Sequence, residues 1–273
     1  MDLQFIATAQ EQVRRQRPLV HNITNLVVTN IVANALLAIG ASPVMAYAKE
    51  EVADVASVSA ALALNMGTLD ERVVEAMEIA AKAANSKGVP IIFDPVGVGF
   101  TAYRNEVATR LINQYELTVV RGNAAEIGYL VGAGGTVKGV DSIDAGDDLT
   151  ERMLQYAKVQ NCVMIATGAI DYVTDGDHVW ALHNGDELLG SITGSGCMLT
   201  GVIGAFIGVQ PRFASRAQIA KASIAAITSY NVAGELAVLA SKGPGTLQSK
   251  LFDELYHQQG ESLVLRGRVE QLY

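Results

Sequence analysis

The chain has 273 residues, half of them hydrophobic, with a formal net charge of −8 and a pI near 5.0. Such acidity opposes broad attraction to nucleic-acid phosphates or anionic lipid, so neither is expected as a partner and any anion needs a local site. No run of about 18 apolar residues escapes a polar interruption, which argues against a membrane-spanning helix.

The first residues, Met1-Asp2-Leu3-Gln4-Phe5, lack the basic, apolar and small-residue pattern of a secretory signal, so a cytoplasmic location is expected. The two cysteines, Cys162 and Cys197, then read as free thiols rather than a disulfide. The length suits one large α/β core, and one domain spanning 1–273 is the expectation.

Apolar residues recur at helical spacing from Asn25 to Ile39, and Gly40 supplies a stop. A second helical pattern runs from Leu69 to Ala84 and ends near Gly88. Val89 to Phe93 then reads as a strand buried on both faces. The alternation continues with a helix over Arg104–Tyr115, a strand over Leu117–Val120, a helix over Leu149–Gln160 and a strand over Cys162–Ala166. This order predicts an α/β fold with a mostly parallel central sheet flanked by helices. Tyr172-Val173-Thr174 and His178 to Leu182, joined through Asp175-Gly176, predict a hairpin at a sheet edge. Small and apolar residues over Cys197–Val209 and Gln218–Ala240 predict two closely packed helices. No repeat, low-complexity tract or linker interrupts the chain.

Four strand ends carry a polar residue beside glycine: Asn65-Met66-Gly67, Asp94-Pro95-Val96-Gly97, Arg121-Gly122-Asn123 and Thr167-Gly168. Ligands of an open parallel sheet bind beyond the carboxyl ends of its strands, so these turns should converge on one site. Any one of them alone is equally explained as a helix cap and a turn glycine. Thr193-Gly194-Ser195-Gly196-Cys197 precedes a helical run, where unpaired N–H groups and the helix dipole favour an anion. Cys197 falls in the first helical turn, where the dipole and a bound cation would favour its thiolate. Cys162 sits in an apolar strand and reads as a small buried hydrophobe. No Gly-Lys-Ser or Gly-Lys-Thr phosphate loop occurs, so an ATP user here needs another fold.

The segments His21-Asn22-Ile23-Thr24-Asn25, Gly40 to Ala46, Asn65 to Leu69, Asp94 to Gly99, Arg121 to Ile127 and Thr193 to Cys197 together resemble hydroxyethylthiazole kinase in order and spacing across nearly the whole chain. The resemblance implies a ribokinase-like fold, ATP as co-substrate with Mg2+, hydroxyethylthiazole as acceptor, a role in thiamine salvage, and a homotrimer with sites between subunits. Carried over by position, it implies ATP contacts at Arg121, Thr167, Asn123 and Gly196, and metal or phosphate contacts at Asp94 and Glu126. It implies substrate contacts at Met45, Gly194, Asn25, Val27 and Gly67, with Cys197 as the catalytic residue. The wider superfamily usually has aspartate where Cys197 stands. His21 needs no catalytic role.

Three other functions fit parts of the sequence. Gly97-Val98-Gly99 resembles a dinucleotide fingerprint, although the acidic ribose ligand expected roughly 20 residues on is replaced by Arg121-Gly122-Asn123. Cys197 with His21 suggests a cysteine hydrolase, and a non-catalytic small-molecule binder is the third. Arg121, read as lying at a strand end, is expected to be replaceable by alanine without unfolding.

Overall fold

A computed structural model describes residues 2–132 and 146–273. The chain runs α1 (Gln4–Gln16), β1 (Leu19–Ile23), α2 (Thr29–Ile39), β2 (Ser42–Val44), α3 (Val52–Val58), β3 (Ala61–Asn65), α4 (Glu71–Lys87), β4 (Ile91–Asp94), α5 (Ala102–Gln114), β5 (Val119–Asn123) and α6 (Ala124–Leu130). It continues with α7 (Gly146–Gln160), β6 (Val163–Thr167), β7 (Asp171–Thr174), β8 (Val179–Leu182), α8 (Ser195–Gly208), α9 (Arg216–Ala240), α10 (Pro244–His257), α11 (Gly260–Arg266) and β9 (Val269–Gln271).

Among the described residues these strands join one sheet in the order β2-β1-β3-β4-β5-β6-β7-β8-β9. Pairing is parallel from β2 to β6 and antiparallel from β6 to β9. The expected mostly parallel sheet flanked by helices is the observed architecture. Alternate residues of one strand point to opposite faces. Ala61, Ala63 and Ile92 therefore enter a core shared with α1, α2, α8, α9 and α10. Leu62, Leu64, Ile91 and Phe93 enter the other core, with α3, α4, α5 and α7. Both faces are covered, which is why the strands read as continuous apolar runs.

Several elements differ from the sequence expectation. The helix expected from Asn25 begins at Thr29, because Asn25 to Val28 form a turn closed by Val28 N–H to Asn25 O at 3.2 Å. The same turn spends the Leu26 N–H on Thr68 Oγ1 at 3.0 Å. The hairpin forms as β7 and β8, but β9 pairs outside it, so it lies one strand in from the edge. β9 has one apolar residue, Val269, beside Glu270 and Gln271, and carries no strand signature in the sequence. Among the described residues one helix, α9, is long and apolar enough by composition to cross a membrane, but most of it is buried inside the protein, as in a core helix.

Helix α8 lies across β1, β3 and β4, and its glycines allow that approach. A Cβ built on Gly204 would stand 3.1 Å from Val20 Cγ1, one on Gly201 3.2 Å from Val32 Cγ1, and one on Gly208 3.2 Å from Ala60 Cβ. The face toward the sheet is thus made of glycine, and the first turn of α8 is set down close to the strand ends. Gly204→Leu is expected to overpack this contact and destabilise the protein by about 1–3 kcal/mol. Urea unfolding measures the loss; a midpoint equal to that of the unsubstituted chain contradicts the close packing.

Candidate active site

The four polar turns do converge. Parallel register sets Asn65 of β3 beside Asp94 of β4, and Arg121 of β5 lies one strand further along. Asp94 is 1% exposed. Its Oδ2 accepts from Asn65 Nδ2 at 2.8 Å, Thr200 Oγ1 at 2.7 Å and Arg121 Nη1 at 3.5 Å. Arg121 Nη2 donates to Thr167 Oγ1 at 2.7 Å, and that hydroxyl donates to Gly122 O at 3.2 Å. Strands β3 to β6 and helix α8 are therefore stitched together by side chains at their ends.

Arg121 was expected at a strand end, replaceable without unfolding. It lies within β5, paired with Ile165, and is 7% exposed. Removing it would leave Asp94 buried without its cation, so a folding cost accompanies any functional one.

The glycine-rich segment 193–197 opens α8. Gly194 has φ +83, in the left-handed region, and a Cβ there would meet Val28 Cγ1 at 2.5 Å, so both conformation and space call for glycine. A Cβ on Gly196 would be 2.7 Å from Arg121 Nη1. The guanidinium and the opening N–H groups of α8 thus face one small region, which concentrates positive potential there.

Cys197, in the first turn of α8, accepts hydrogen bonds at Sγ from Asn65 Nδ2 and Asn25 Nδ2, each 3.3 Å. Asn25 Nδ2 also donates to Asn65 Oδ1 at 3.0 Å. Contrary to the expected thiolate, the thiol is pushed up to about 11. Burial is the main cause and the Asp94 charge adds to it; the two amides and Arg121 pull the other way. Cys162 is buried, and burial raises its thiol to about 12.

Burial holds the Asp94 carboxyl above the usual carboxylate range, against the opposing pull of Arg121, Thr200 and Asn65. Glu126 is also raised, first by burial and then by the Asp94 charge. Its Oε1 accepts from Gly97 N–H at 2.8 Å and its Oε2 from Asn123 N–H at 2.9 Å. Asn123 in turn caps Glu126 N–H at 2.8 Å, completing a capping box at the start of α6. Glu126 and Asn123 therefore have local structural work in addition to any ligand role. Among the described residues no group of three or more His, Cys, Asp or Glu is arranged to hold a metal. Magnesium often takes only one or two carboxylates and fills its shell with water and phosphate oxygens. Two buried carboxylates, of which the Asp94 charge raises the protonation of Glu126, fit such a cation, which would relieve their repulsion.

The proposed substrate residues are only partly assembled. Gly67 packs on Asn25, where an added Cβ would be 2.6 Å from Asn25 Cβ. Gly194 meets the same turn through Val28. Val27 is 68% exposed. Met45 follows β2 and is half-buried against the same core on which Cys197 packs.

Other residues emerge only from the structure. Thr200 is one turn beyond Cys197 and reaches Asp94. Arg104 donates to Met66 O, to Val96 O at 2.6 Å and to Gly67 O at 2.7 Å, tying the ends of β3 and β4. Thr200's spacing of three from Cys197 was the available signal; Arg104 gave none.

The alternatives lose their geometry. Gly97 N–H is taken by Glu126 and Gly99 N–H by Asn105 Oδ1 at 2.7 Å, so neither is free for a pyrophosphate. His21 is buried and its Nε2 bonds to Ala46 O at 2.9 Å, while the Cys197 Sγ is held by the Asn25 and Asn65 amides.

Comparison with solved structures gives the class. A ribokinase-like superfamily protein from Enterococcus faecalis matches with a TM-score of 0.59 at 12% identity, covering 90% of this chain and 93% of that one. The fold is ribokinase-like. A family model for hydroxyethylthiazole kinases matches residues 10–261. A hydroxyethylthiazole kinase from Moorella thermoacetica is 48% identical over 258 residues, 94% of each chain. The structure of a hydroxyethylthiazole kinase from Pyrococcus horikoshii matches with a TM-score of 0.89 at 38% identity, covering 98% of this chain and 99% of that one. The chain belongs to the hydroxyethylthiazole kinase family.

The raised thiol gives a pH prediction. Alkylation of Cys197, followed by mass mapping, should be slow at neutral pH and accelerate as pH rises toward about 11, because only the thiolate reacts. Asp94→Asn should move the profile to lower pH by removing the opposing charge. A profile centred at or below the free-thiol value of about 8.5 contradicts the assigned environment.

Proposed function

We propose that this chain transfers the terminal phosphoryl group of ATP to the hydroxyl of hydroxyethylthiazole, giving the thiazole phosphate and ADP for thiamine salvage. The observation that carries the proposal is the approach of the Arg121 guanidinium to Gly196 at the start of α8, beside Cys197 and beyond the carboxyl ends of β3 to β6. Phosphoryl transfer depends mainly on alignment and charge stabilisation, and this arrangement supplies both.

In this assignment Arg121, Thr167, Asn123 and Gly196 bind ATP. Gly196 acts through its backbone, and Arg121 pairs with phosphate oxygens. Asn25, Val27, Met45, Gly67 and Gly194 surround the thiazole, with the Met45 thioether offering polarizable contact to the ring. Asp94 and Glu126 would hold Mg2+, which when bound neutralises charge on the phosphates. Cys197 accepts the hydroxyl proton. Its Sγ must be deprotonated first, and the Asn25 and Asn65 amides together with Arg121 favour that form. Burial and Asp94 oppose it, so its base contribution is modest beside positioning.

A homotrimer with sites between subunits belongs to the same proposal. The exposure of Leu26 and Val27 beside Asn25, at 66% and 68%, supports a second subunit completing the substrate side. One kinase domain over 1–273 and a cytoplasmic location complete it, supported by the single sheet and the two free thiols.

A coupled ADP assay with ATP and hydroxyethylthiazole tests the activity; absence of thiazole phosphate overturns it. Light scattering should report a trimer, and a fully active monomer contradicts the shared site. Cys197→Ala should slow turnover toward the lower end of the about 10²–10⁴-fold range for loss of a general base. Cys197→Asp should retain activity, because a carboxylate also accepts a proton. Both variants inactive though folded, with a competent adduct on Cys197 of the parent enzyme, would establish a covalent route instead.

A further inference from the structure

Helix α9 is almost wholly buried, yet its middle reads Ser229-Tyr230-Asn231, followed one turn later by Glu235. Polar groups in such a place cost free energy unless they are hydrogen-bonded. Tyr230 finds its partner at the first residue of α8 and Asn231 at the first residue of β7, and the turns leading into these two elements border the region facing Arg121.

The Tyr230 hydroxyl, on a residue 1% exposed, donates to Ser195 O at 3.0 Å and lies 3.2 Å from Ser195 Oγ. Ser195 is the first residue of α8, between Gly194 and Gly196. Asn231 Nδ2 donates to Asp171 Oδ2 at 2.7 Å and to Asn184 O at 2.9 Å. Asp171, 5% exposed, accepts the Gly168 N–H through Oδ1 at 3.0 Å. Gly168 directly follows Thr167, whose hydroxyl receives Arg121 Nη2. Two consecutive residues of one rigid helix thus hold, directly or through one carboxylate, the loops on either side of the Arg121 guanidinium.

We propose that Tyr230 and Asn231 form a two-pronged clamp that sets the spacing between the Gly194–Cys197 turn and the Thr167–Gly168 turn, with Asp171 as its intermediate link. All three are positioning residues for the nucleotide phosphates. The proposal rests on the assignment of that region to ATP. Thr167 and Cys197 make side-chain bonds on the site side of these turns, but Gly168, Gly194 and Gly196 have no side chain with which to fix the backbone between them. A backbone donor displaced by a fraction of its hydrogen-bond length loses much of its contribution to transition-state charge. The polar middle of α9 supplies the missing rigidity from behind the site. Gly194, assigned to the thiazole side and packed on Val28 in the turn before α2, lies in the turn that Tyr230 holds, whereas Asn231 reaches the Thr167–Gly168 turn through Asp171; only the Asn231 prong is expected to leave the thiazole side untouched.

The test compares full-length wild type, Tyr230→Phe and Asn231→Ala by steady-state kinetics with each substrate varied in turn, alongside thermal unfolding. Tyr230→Phe keeps the ring and deletes only the hydroxyl. Each variant should raise the KM for ATP or lower kcat by about tenfold, in line with the sensitivity of catalysis to small misplacements, while for Asn231→Ala the KM for hydroxyethylthiazole stays within about twofold. A purely structural role would instead lower the melting temperature and leave the kinetic constants of the folded enzyme alone. Folded variants with unchanged ATP kinetics, or Asn231→Ala with equal losses toward both substrates, overturn the clamp. If both variants fail to fold, Asp171→Asn reads the Gly168 prong, because the amide keeps one acceptor where the carboxylate serves two donors; unchanged ATP kinetics there overturns the proposal. If wild type forms no thiazole phosphate, the parent assignment has failed, and calorimetric titration with ADP then reads the clamp alone. Weaker ADP binding by the variants supports it, and equal binding overturns it.

Discussion

A carboxylate buried at the end of β4 is the constraint around which the site is built. Asp94 is nearly sealed from solvent, and an unpartnered charge there would be costly enough to drive its protonation. Its partners come from Asn65 on β3, Arg121 on β5 and Thr200 on α8. Satisfying one oxygen therefore requires three elements, far apart in sequence, to arrive in register. The parallel pairing that aligns Asn65 with Asp94 is also what puts Asn65 within reach of Cys197. The interaction specifies location as much as it stabilises: a well-packed apolar cluster of the same volume would cost less to bury, but it would attract neither a cation nor a phosphate.

The architecture was legible wherever helix period and apolar strand alternated, as from Leu69 to Ala166, because both faces of the sheet are covered and the strands read as unbroken apolar runs. It failed where local pattern and tertiary demand conflicted. Asn25 to Val28 carry helical spacing, yet the Asn25 carboxamide is drawn to Asn65 and Cys197, and the helix starts at Thr29. β9 exists because β8 offers an open edge, a fact that no property of Val269-Glu270-Gln271 announces. At the site, the strand-end pattern located Asp94, Arg121 and Thr167. It could not show that the Arg121 side chain folds inward onto Asp94, because burial of a long cation depends on partners three elements away. The thiol state of Cys197 was misread for a similar reason: the helix start is visible in sequence, while the neighbouring carboxylate and the loss of solvent are not.

Charge and space divide the labour at the start of α8. Positive potential comes from Arg121 and the unpaired helix N–H groups, and the glycines let that potential approach a ligand closely. Negative charge comes from Asp94 and Glu126, each raised by burial and suited to share a cation. Cys197 stands between the two, neutral at ordinary pH, and is held by amides rather than by a histidine. A thiol held neutral is weak both as a proton acceptor and as a nucleophile, since each role needs the thiolate, which fits a reaction driven chiefly by alignment and charge.

The central claim is that the phosphoryl group passes directly from ATP to the alcohol across the region between Arg121 and Cys197. The stereochemical course at phosphorus tests it most directly, with ATP made chiral at the terminal phosphate by oxygen isotopes and the configuration of the thiazole phosphate determined. One in-line transfer predicts inversion. Retention would mean two successive transfers through an enzyme-bound phosphoryl group and would contradict the account.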